Sequence, residues 1–453
     1  MFKKILIANR GEIAVRIIRA CNELNIRTVA IYAKGEENEL HTQLADEAIC
    51  IGPANLKESY LNMIAILSAA TASGAEAIHP GVGFLSENSE FARRCEECGI
   101  NFIGPSADII EKMGDKSEAR KLAQRAKTPI VNGSLDPVQT LSDAKKLAKK
   151  IGYPLIIKAV NGGGGKGMRI VTAAEELESA YKSAKFEAKT SFANDAVYME
   201  QFIINPRHIE IQLMADKYGN IIHLGERDCS VQRNSQKVIE EAPSTFLNEK
   251  QRRQMGEAAI RLARLVQYVG LGTIEFLVDD KGDFYFMEMN TRLQVEHTIT
   301  EEITGIDLVK EQIKIAYGQK MLLKQKDVII KGHAIECRIN AEDPYNNFAP
   351  SPGNIEVVNF PGGLGVRIDS NIFQGGKVLP IFDSLIGKII VHADSREEAI
   401  AKMRRALEEC IVLPIKTNID FHYEIINHPI FKEGNVDTSF ITEYFPKIGK
   451  QKK

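Results

Sequence analysis

The sequence predicts a mixed α/β and α+β chain in three parts, and three observations carry that prediction. Residues 1–115 alternate short apolar strands with segments of helical period. A run of four glycines, Gly162–Gly165, sits between two strands in a small module over 116–203, which reads as a mobile lid. Residues 204–446 are rich in paired strand patterns and contain the hairpin Thr273–His297, TIEFLVDDKGDFYFMEMNTRLQVEH.

In the first part, Lys4–Ala8 is a short apolar strand. Gly11–Leu24 follows with Ile13, Ile17, Cys21 and Leu24 at helical spacing, and Asn25 stands where a helix stop belongs. Strands at Arg27–Tyr32, Glu47–Ile51, Ala77–Ile78 and Asn101–Ile103 alternate with helices near Ser59–Ser73 and Ser89–Cys98. Such alternation predicts a parallel sheet with helices on both faces. The first βα turn has no G-x-G-x-x-G, and Gly81-Val82-Gly83 is too short a fragment to indicate a dinucleotide.

The module over 116–203 reads as a helix at Thr140–Lys150, a stop at Ile151–Pro154 and a strand at Leu155–Ala159. The glycine loop follows, then a strand at Met168–Val171 and a helix opened by the capping box Thr172-x-x-Glu175. Four glycines leave the backbone free to turn its N–H groups toward phosphate oxygens. The loop is not a Walker A motif, because Val160 and Gly167 stand where that motif needs Gly and Ser or Thr. Lys158, closing the preceding strand half-buried, needs an anion.

In the third part, strands at His208–Met214 and Ile221–Arg227 precede the polar run Arg227–Glu241 and a helix over Glu249–Tyr268. The hairpin then places Glu275, Glu288, Asn290, Arg292, Gln294 and Glu296 among strongly apolar neighbours. If the ribbon continues through Glu296, residues two apart share one face. Burying such a row costs several kcal/mol per uncompensated charge, so a hard cation on the carboxylates and a small anion on the arginine are expected. A solvated hairpin is the alternative, and Phe276, Phe284, Phe286 and Met287 argue against it. After Lys331 the pattern suggests an antiparallel layer ending in a helix at Ser395–Cys410, and 447–453 reads as a solvated tail.

Acidic and basic residues nearly balance, 60 against 58, so bulk charge calls for neither nucleic acid nor membrane. No apolar run approaches the roughly 20 residues of a membrane span, and Asn9-Arg10 interrupts the N-terminal run too early for a signal peptide. Seven scattered cysteines read as reduced thiols and a cytoplasmic setting.

A glycine lid, two lysines and a carboxylate hairpin resemble the parts of ATP-grasp enzymes, and the chain is more narrowly similar to biotin carboxylase. The resemblance runs from about Lys3 to Phe445. Its most specific segments are ILIANRGEIA (5–14), AIHPGVGFLSEN (77–88), IIKAVNGGGGKGM (156–168), MEQFIINPRHIEIQ (199–212), ERDCSVQR (226–233), QKVIEEAPS (236–244), FMEMNTRLQVEH (286–297) and HAIECRINAED (333–343). It implies a three-part ATP-grasp fold and ATP-dependent carboxylation of biotin through carboxyphosphate, with bicarbonate as the carbon source.

By the same resemblance, Lys116, Lys158, His208 and Ser235 lie at the nucleotide phosphates, and Gly164 and Gly165 close over them. Glu200, Gln201, Phe202 and Ile203 form the adenine hinge through their backbone. Glu275 and Glu288, helped by Asn290, hold Mg²⁺ (or Mn²⁺), two ions in all. Lys237, Arg292, Gln294 and the Val295 backbone cradle bicarbonate. Glu296 is the general base, kept ionised by Arg292, and Arg338 meets biotin. Whether Glu275 and Glu288 share a face depends on the turn at Asp279–Gly282. Four residues depart from the family pattern. Ser235 stands for histidine, which implies weaker ATP binding by about 1–2 kcal/mol. Val82 stands for tyrosine, Gln201 for lysine and Thr298 for proline.

The implied partners are a biotin carboxyl carrier protein, carboxyltransferase subunits and a second copy in a homodimer. Acetyl-CoA is the first expectation for the final carboxyl acceptor, with pyruvate or another acyl-CoA as alternatives. A nucleotide-binding paralogue without catalysis, favoured slightly by Ser235 and Val82, is the non-enzyme alternative.

Overall fold

The computed structural model describes residues 1–160, 167–192 and 194–446. The predicted phosphate-closing glycines Gly164 and Gly165 and the tail 447–453 lie outside the described residues.

The N-terminal part is a five-stranded parallel sheet of β1 (Lys4–Ile7), β2 (Arg27–Tyr32), β3 (Glu47–Cys50), β4 (Ala77–His79) and β5 (Asn101–Phe102), in the order β3-β2-β1-β4-β5. Alternation along β1 decides what each face meets. Ile5 and Ile7 pack with Ile13, Ile17 and Cys21 of α1 (Gly11–Glu23). Leu6 and Ala8 pack on the other face with Ile66 of α2 (Met63–Ser73) and Phe91 of α3 (Ser89–Glu97). Helices therefore cover both faces, as the βα alternation predicts. The α1 side also packs against Met214, Ile222, Leu271 and Leu293, so this part is seated on the large C-terminal sheet.

After α4 (Lys116–Arg125) the lid region holds α5 (Leu141–Ile151), β6 (Leu155–Ala159), β7 (Met168–Val171), α6 (Leu177–Phe192) and β8 (Val197–Gln201). Its antiparallel sheet runs β7-β6-β8 and buries its own core, including Ile151, Leu155, Ile157, Leu177 and Met199. The expected capping box of Thr172 and Glu175 does not form, and Ala173 stands at the helical entry without a side-chain cap. A 3₁₀ turn, Ala174–Glu176, precedes α6, and Thr172 donates both its N–H and its hydroxyl to Glu176 Oε2 at 2.8 Å.

The largest part is one eight-stranded antiparallel sheet. Its strands are β9 (Arg207–Ala215), β10 (Ile221–Arg233), β11 (Gln236–Ala242), β12 (Gly270–Val278), β13 (Phe284–Asn290), β14 (His333–Asn340), β15 (Val366–Ser370) and β16 (Leu385–Ala393), ordered β13-β12-β9-β10-β11-β14-β16-β15. α7 (Glu249–Leu265) packs Met255, Ala259 and Leu262 into the same core as Ile209, Ile211 and Phe276.

Three features go beyond the sequence pattern. The polar run Arg227–Glu241 is itself a hairpin, turning at Asn234 and Ser235 with φ of 50° and 63°, the geometry that suits two-residue hairpin turns. The strands after Lys331 are antiparallel as expected and extend the same sheet: β14 pairs with β11, Ile239 opposite Cys337. The helix expected at Ser395–Cys410 is α9 (Arg396–Glu409), capped by those two residues. Short helices at Ile419–Asn427, Pro429–Lys432 and Phe440–Tyr444 follow and bury Phe421, Phe431 and Phe440. Among the described residues no helix is long and apolar enough to cross a membrane.

Candidate active site

The hairpin β12–β13 carries the first feature of the site. Glu275 is the direct cross-strand partner of Glu288, whereas the next pair is Phe276 with Phe286. Met287 is thus the extra residue of a β-bulge, and it brings two carboxylates at odd sequence separation onto one face. The ribbon does not continue through Glu296 as the alternation suggested. β13 ends at Asn290, and Thr291–Glu296 leaves the sheet as a loop up to α8 (His297–Thr304).

The row extends the other way. Glu275 also pairs with Glu210 of β9, and Glu210 pairs with Arg227 of β10. Four charged residues therefore stand side by side across four strands, a register that nothing in local sequence discloses. Arg227 is fully buried and donates to Glu210 Oε1 at 2.5 Å and to Gln212 at 2.7 Å. Lys237, from β11, reaches into the row: its Nζ lies 2.6 Å from Glu210, 2.9 Å from Glu275 and 2.5 Å from Glu296. Burial works against its charge, but these three carboxylates hold the lysine well above its ordinary pKa.

The two facing carboxylates differ. Burial would raise Glu275, yet Lys237 and His208 hold it well below the usual range. Glu288 is raised, by burial first and then by the Glu275 charge. Asn290 donates to Glu275 Oε1 at 2.9 Å. Glu275, Glu288 and Asn290 together offer hard oxygen donors, with two acids facing each other across the hairpin, which fits Mg²⁺. His208 Nε2 lies 3.1 Å from Glu275, and His208, Glu210 and Glu275 form a second potential ligand group.

Glu296 precedes α8 and accepts from Lys237 at 2.5 Å and from Arg338 Nη2 at 2.9 Å. Burial would raise its pKa; Lys237, Arg338 and Arg227 more than offset that and keep it ionised. This corrects the expectation that Arg292 plays that part. Arg292 makes its hydrogen bonds elsewhere, donating from Nε to Glu87 Oε2 at 2.8 Å and from Nη2 to Asn290 Oδ1 at 2.9 Å. Gln294 lies 3.2 Å from Glu275 and 3.3 Å from Lys237, and the Val295 carbonyl accepts from Lys388 at 2.7 Å. Arg338, on β14, donates from Nε to Glu240 of the neighbouring β11 at 2.5 Å. Cys229 is fully buried, and burial pushes its thiol well up, so it is no nucleophile.

On the lid side, the anion that Lys158 requires is Glu200, whose other oxygen takes Arg120 Nη1 at 2.7 Å. Glu200 therefore contributes a buried side chain beyond the backbone role expected of it. Of the hinge N–H groups, Gln201 donates to Asn132 O at 2.8 Å and Phe202 to Pro154 O at 3.0 Å, while Ile203 N–H has no partner among the described residues. Lys116 opens α4.

One cleft of about 930 Å³ opens between lid and sheet, with Glu210, Arg227 and Glu240 buried behind its lining. It gathers every described residue that the sequence reading selected: Lys116, Lys158, Glu200–Ile203, His208, Ser235, Lys237, Glu275, Glu288, Asn290, Arg292, Gln294, Val295, Glu296 and Arg338. Val82 is there as well. The reading missed Glu87, Arg120, Glu210, Glu240 and Lys388. Only Glu210 left a signal, through the His208-x-Glu210-x-Gln212 alternation that sets three polar groups on one face.

Comparison with known proteins follows the same outline. Residues 1–110 match the model of the biotin carboxylase N-terminal domain and 336–443 that of its C-terminal domain. Residues 115–324 match the ATP binding domain of the carbamoyl-phosphate synthase L chain. Biotin carboxylase 1 of Bacillus subtilis is 54% identical over 98% of this chain and 99% of its own length. A Campylobacter jejuni biotin carboxylase in complex with β,γ-ATP superposes with a TM-score of 0.94 at 48% identity, covering 98% of this chain and 99% of that one. The biotin carboxylase domain dimer of Hydrogenobacter thermophilus 2-oxoglutarate carboxylase, in complex with MgADP, ADP and bicarbonate, gives 0.93 at 48% identity over the whole of both chains. With all three domain models matched in order and a carboxylate-lined cleft between lid and sheet, the chain belongs to the biotin carboxylase family of ATP-grasp ligases.

Proposed function

We propose that this enzyme carboxylates biotin held on a separate carrier protein, consuming ATP and bicarbonate and releasing ADP and phosphate. The observation that carries the reading is Glu296: a buried, ionised carboxylate clasped by Lys237 and Arg338, four residues beyond Arg292, inside the lidded cleft.

Bicarbonate is a weak nucleophile, and its proton must leave as it attacks. Arg292 holds the anion with its two Nη groups once they turn from Asn290 and Leu293, and Gln294 and the Val295 backbone complete the cradle. Glu296, ionised at neutral pH, takes the bicarbonate proton as general base. The oxygen so freed attacks the γ-phosphate, and Lys237 meets the charge that builds in the transition state. Glu275, Glu288 and Asn290 would hold Mg²⁺ (or Mn²⁺), which neutralises phosphate charge when bound. Lys116, Lys158, His208 and Ser235 face the nucleotide, and Ile203 N–H is the free hinge donor for adenine.

Carboxyphosphate then yields CO₂ and phosphate, and the phosphate takes the ureido proton of biotin. Arg338, held by Glu240, stabilises the enolate-like oxygen that results. Lid closure excludes the water that would destroy the intermediate.

The division into 1–115, 116–203 and 204–446 belongs to this proposal: the lid buries a core of its own, whereas the first part and α4 share cores with the large sheet. So do a homodimer, a biotin carboxyl carrier and a carboxyltransferase as partners, and a cytoplasmic location. Acetyl-CoA is the first acceptor to test. Purified protein given ATP, Mg²⁺, bicarbonate and free biotin is expected to release ADP in a biotin-dependent manner. ATP binding without turnover would instead identify a non-catalytic paralogue.

A further inference from the structure

The segment Thr291–Glu296 presents Arg292, Gln294, the Val295 backbone and Glu296 to the cleft, yet it lies in neither strand nor helix. No ladder of backbone hydrogen bonds fixes it, so its shape depends on side chains that reach it from elsewhere. At its start Glu87 Oε1 accepts from Thr291 N–H at 3.1 Å. Near its end, Lys388 Nζ donates to the Val295 carbonyl at 2.7 Å.

Lys388 is unusual on its own account. It sits in the middle of β16, has no exposed surface, and is the cross-strand partner of Arg338. Burying an ammonium costs several kcal/mol, and a methionine would fill the volume without that cost. What methionine lacks is a donor for the Val295 carbonyl. The counter-ion is Glu12 Oε2 at 3.3 Å, delivered by α1 of the N-terminal part. Glu336 and Asp369 add negative charge around the ammonium and Arg367 opposes them, so the lysine stays protonated.

We infer that Lys388 is a positioning residue: by gripping the Val295 carbonyl it sets the bicarbonate cradle and aims the general base. The peptide between Val295 and Glu296 is planar, so restraining its oxygen narrows where the Cα atoms of both residues can lie. One bond thereby restrains the direction of the Val295 backbone and the root of the Glu296 side chain. Glu12 holds the lysine in place and ties the N-terminal part to this geometry. The inference rests on the functional reading above, in which this segment binds bicarbonate.

The test compares Lys388→Met with wild type for KM of bicarbonate, KM of ATP, calorimetric ADP affinity and thermal midpoint. KM for bicarbonate is expected to rise at least about tenfold, with ADP affinity held within about twofold. If wild type itself releases no ADP, the functional reading falls and this inference with it. If wild type is active and the variant keeps both KM values, or both worsen in proportion, this inference alone falls. The proportional outcome marks a merely structural lysine. Should Lys388→Met not fold, Glu12→Gln decides, because it leaves the lysine present without its counter-ion. A bicarbonate KM raised more than that of ATP supports the assignment, and no separation between the two overturns it.

Discussion

Glu275 and Glu288 face each other across one bulged pair of strands, and a single extra residue, Met287, puts them there. Without the bulge, the odd separation would send one carboxylate to the opposite side of the sheet. The apolar run FYFM keeps its alternation up to that point, with Phe286 nearly fully buried. The bulge thus joins two demands in one ribbon: an apolar face for the core and an acid pair for the cleft. Like charges so placed repel, which is visible in the raised Glu288.

Glu288→Gln removes one of the two charges while keeping shape. Without metal, the variant is expected to melt higher than wild type, since a buried like-charge pair is relieved. Added Mg²⁺ with nucleotide should stabilise wild type markedly and the variant little. Loss of kcat/KM for ATP of about a hundredfold is expected. Thermal melts with and without MgADP, alongside initial rates, check all three.

Locally patterned parts were legible in the sequence. The N-terminal sheet could be read because β1 alternates Ile5, Leu6, Ile7 between two faces and α1 repeats its apolar residues at helical spacing. The cleft residues could be named because they fall within segments that carry the resemblance. What escaped depends on contacts far apart in sequence. The Glu210–Glu275–Glu288 row needs strand order and register, and Glu87 meets Arg292 only when the N-terminal part is seated. The end of the ribbon at Asn290 was missed because polar residues continue two apart through Glu296 in a loop that has left the sheet. Arg292 was paired with Glu296 from the resemblance and their nearness in sequence, whereas the partners of Glu296, Lys237 and Arg338, come from distant strands.

The Glu87 carboxylate takes Arg292 by Nε and leaves the two Nη groups on weaker partners, Asn290 and the Leu293 carbonyl. Glu87→Gln keeps a hydrogen-bond acceptor but loses the ion pair. KM for bicarbonate is expected to rise about 3- to 10-fold, less than for Arg292→Met, where a loss of about a hundredfold in kcat/KM is expected. Steady-state rates with bicarbonate as the varied substrate distinguish the two. A Glu87→Gln enzyme with lowered KM would mean that Glu87 competes with the substrate rather than orienting its arginine.

Ser235 stands at a left-handed turn on the rim of the cleft, exposed, with φ of 63°. Histidine is among the residues that tolerate this conformation, so Ser235→His should fold without strain. The longer side chain can reach a nucleotide phosphate that serine cannot. KM for ATP is expected to fall by roughly 5- to 30-fold, the equivalent of one or two hydrogen bonds. KM for bicarbonate should not move, and competition by ADP in rate measurements gives an independent reading.

Glu241 is one of the buried carboxylates that make the fold acid-sensitive. Its carboxylate is buried, which alone would raise its pKa. His333 Nε2 at 2.8 Å and the Arg396 guanidinium at 2.7 Å instead lower it to about 2. A carboxyl group depressed in the folded state releases its proton more readily there than in the unfolded chain. Its stabilisation is therefore full above the unfolded pKa of about 4.3 and is lost as pH falls toward about 2. The shift corresponds to about 3 kcal/mol for a fully buried group. Glu241→Gln leaves Arg396 and His333 without their acid, so the variant should be less stable at neutral pH. Its stability should also fall less steeply between pH 4.5 and 3. Denaturant unfolding at a series of pH values measures both slopes, and parallel curves for the two proteins would assign the acid sensitivity to other carboxylates.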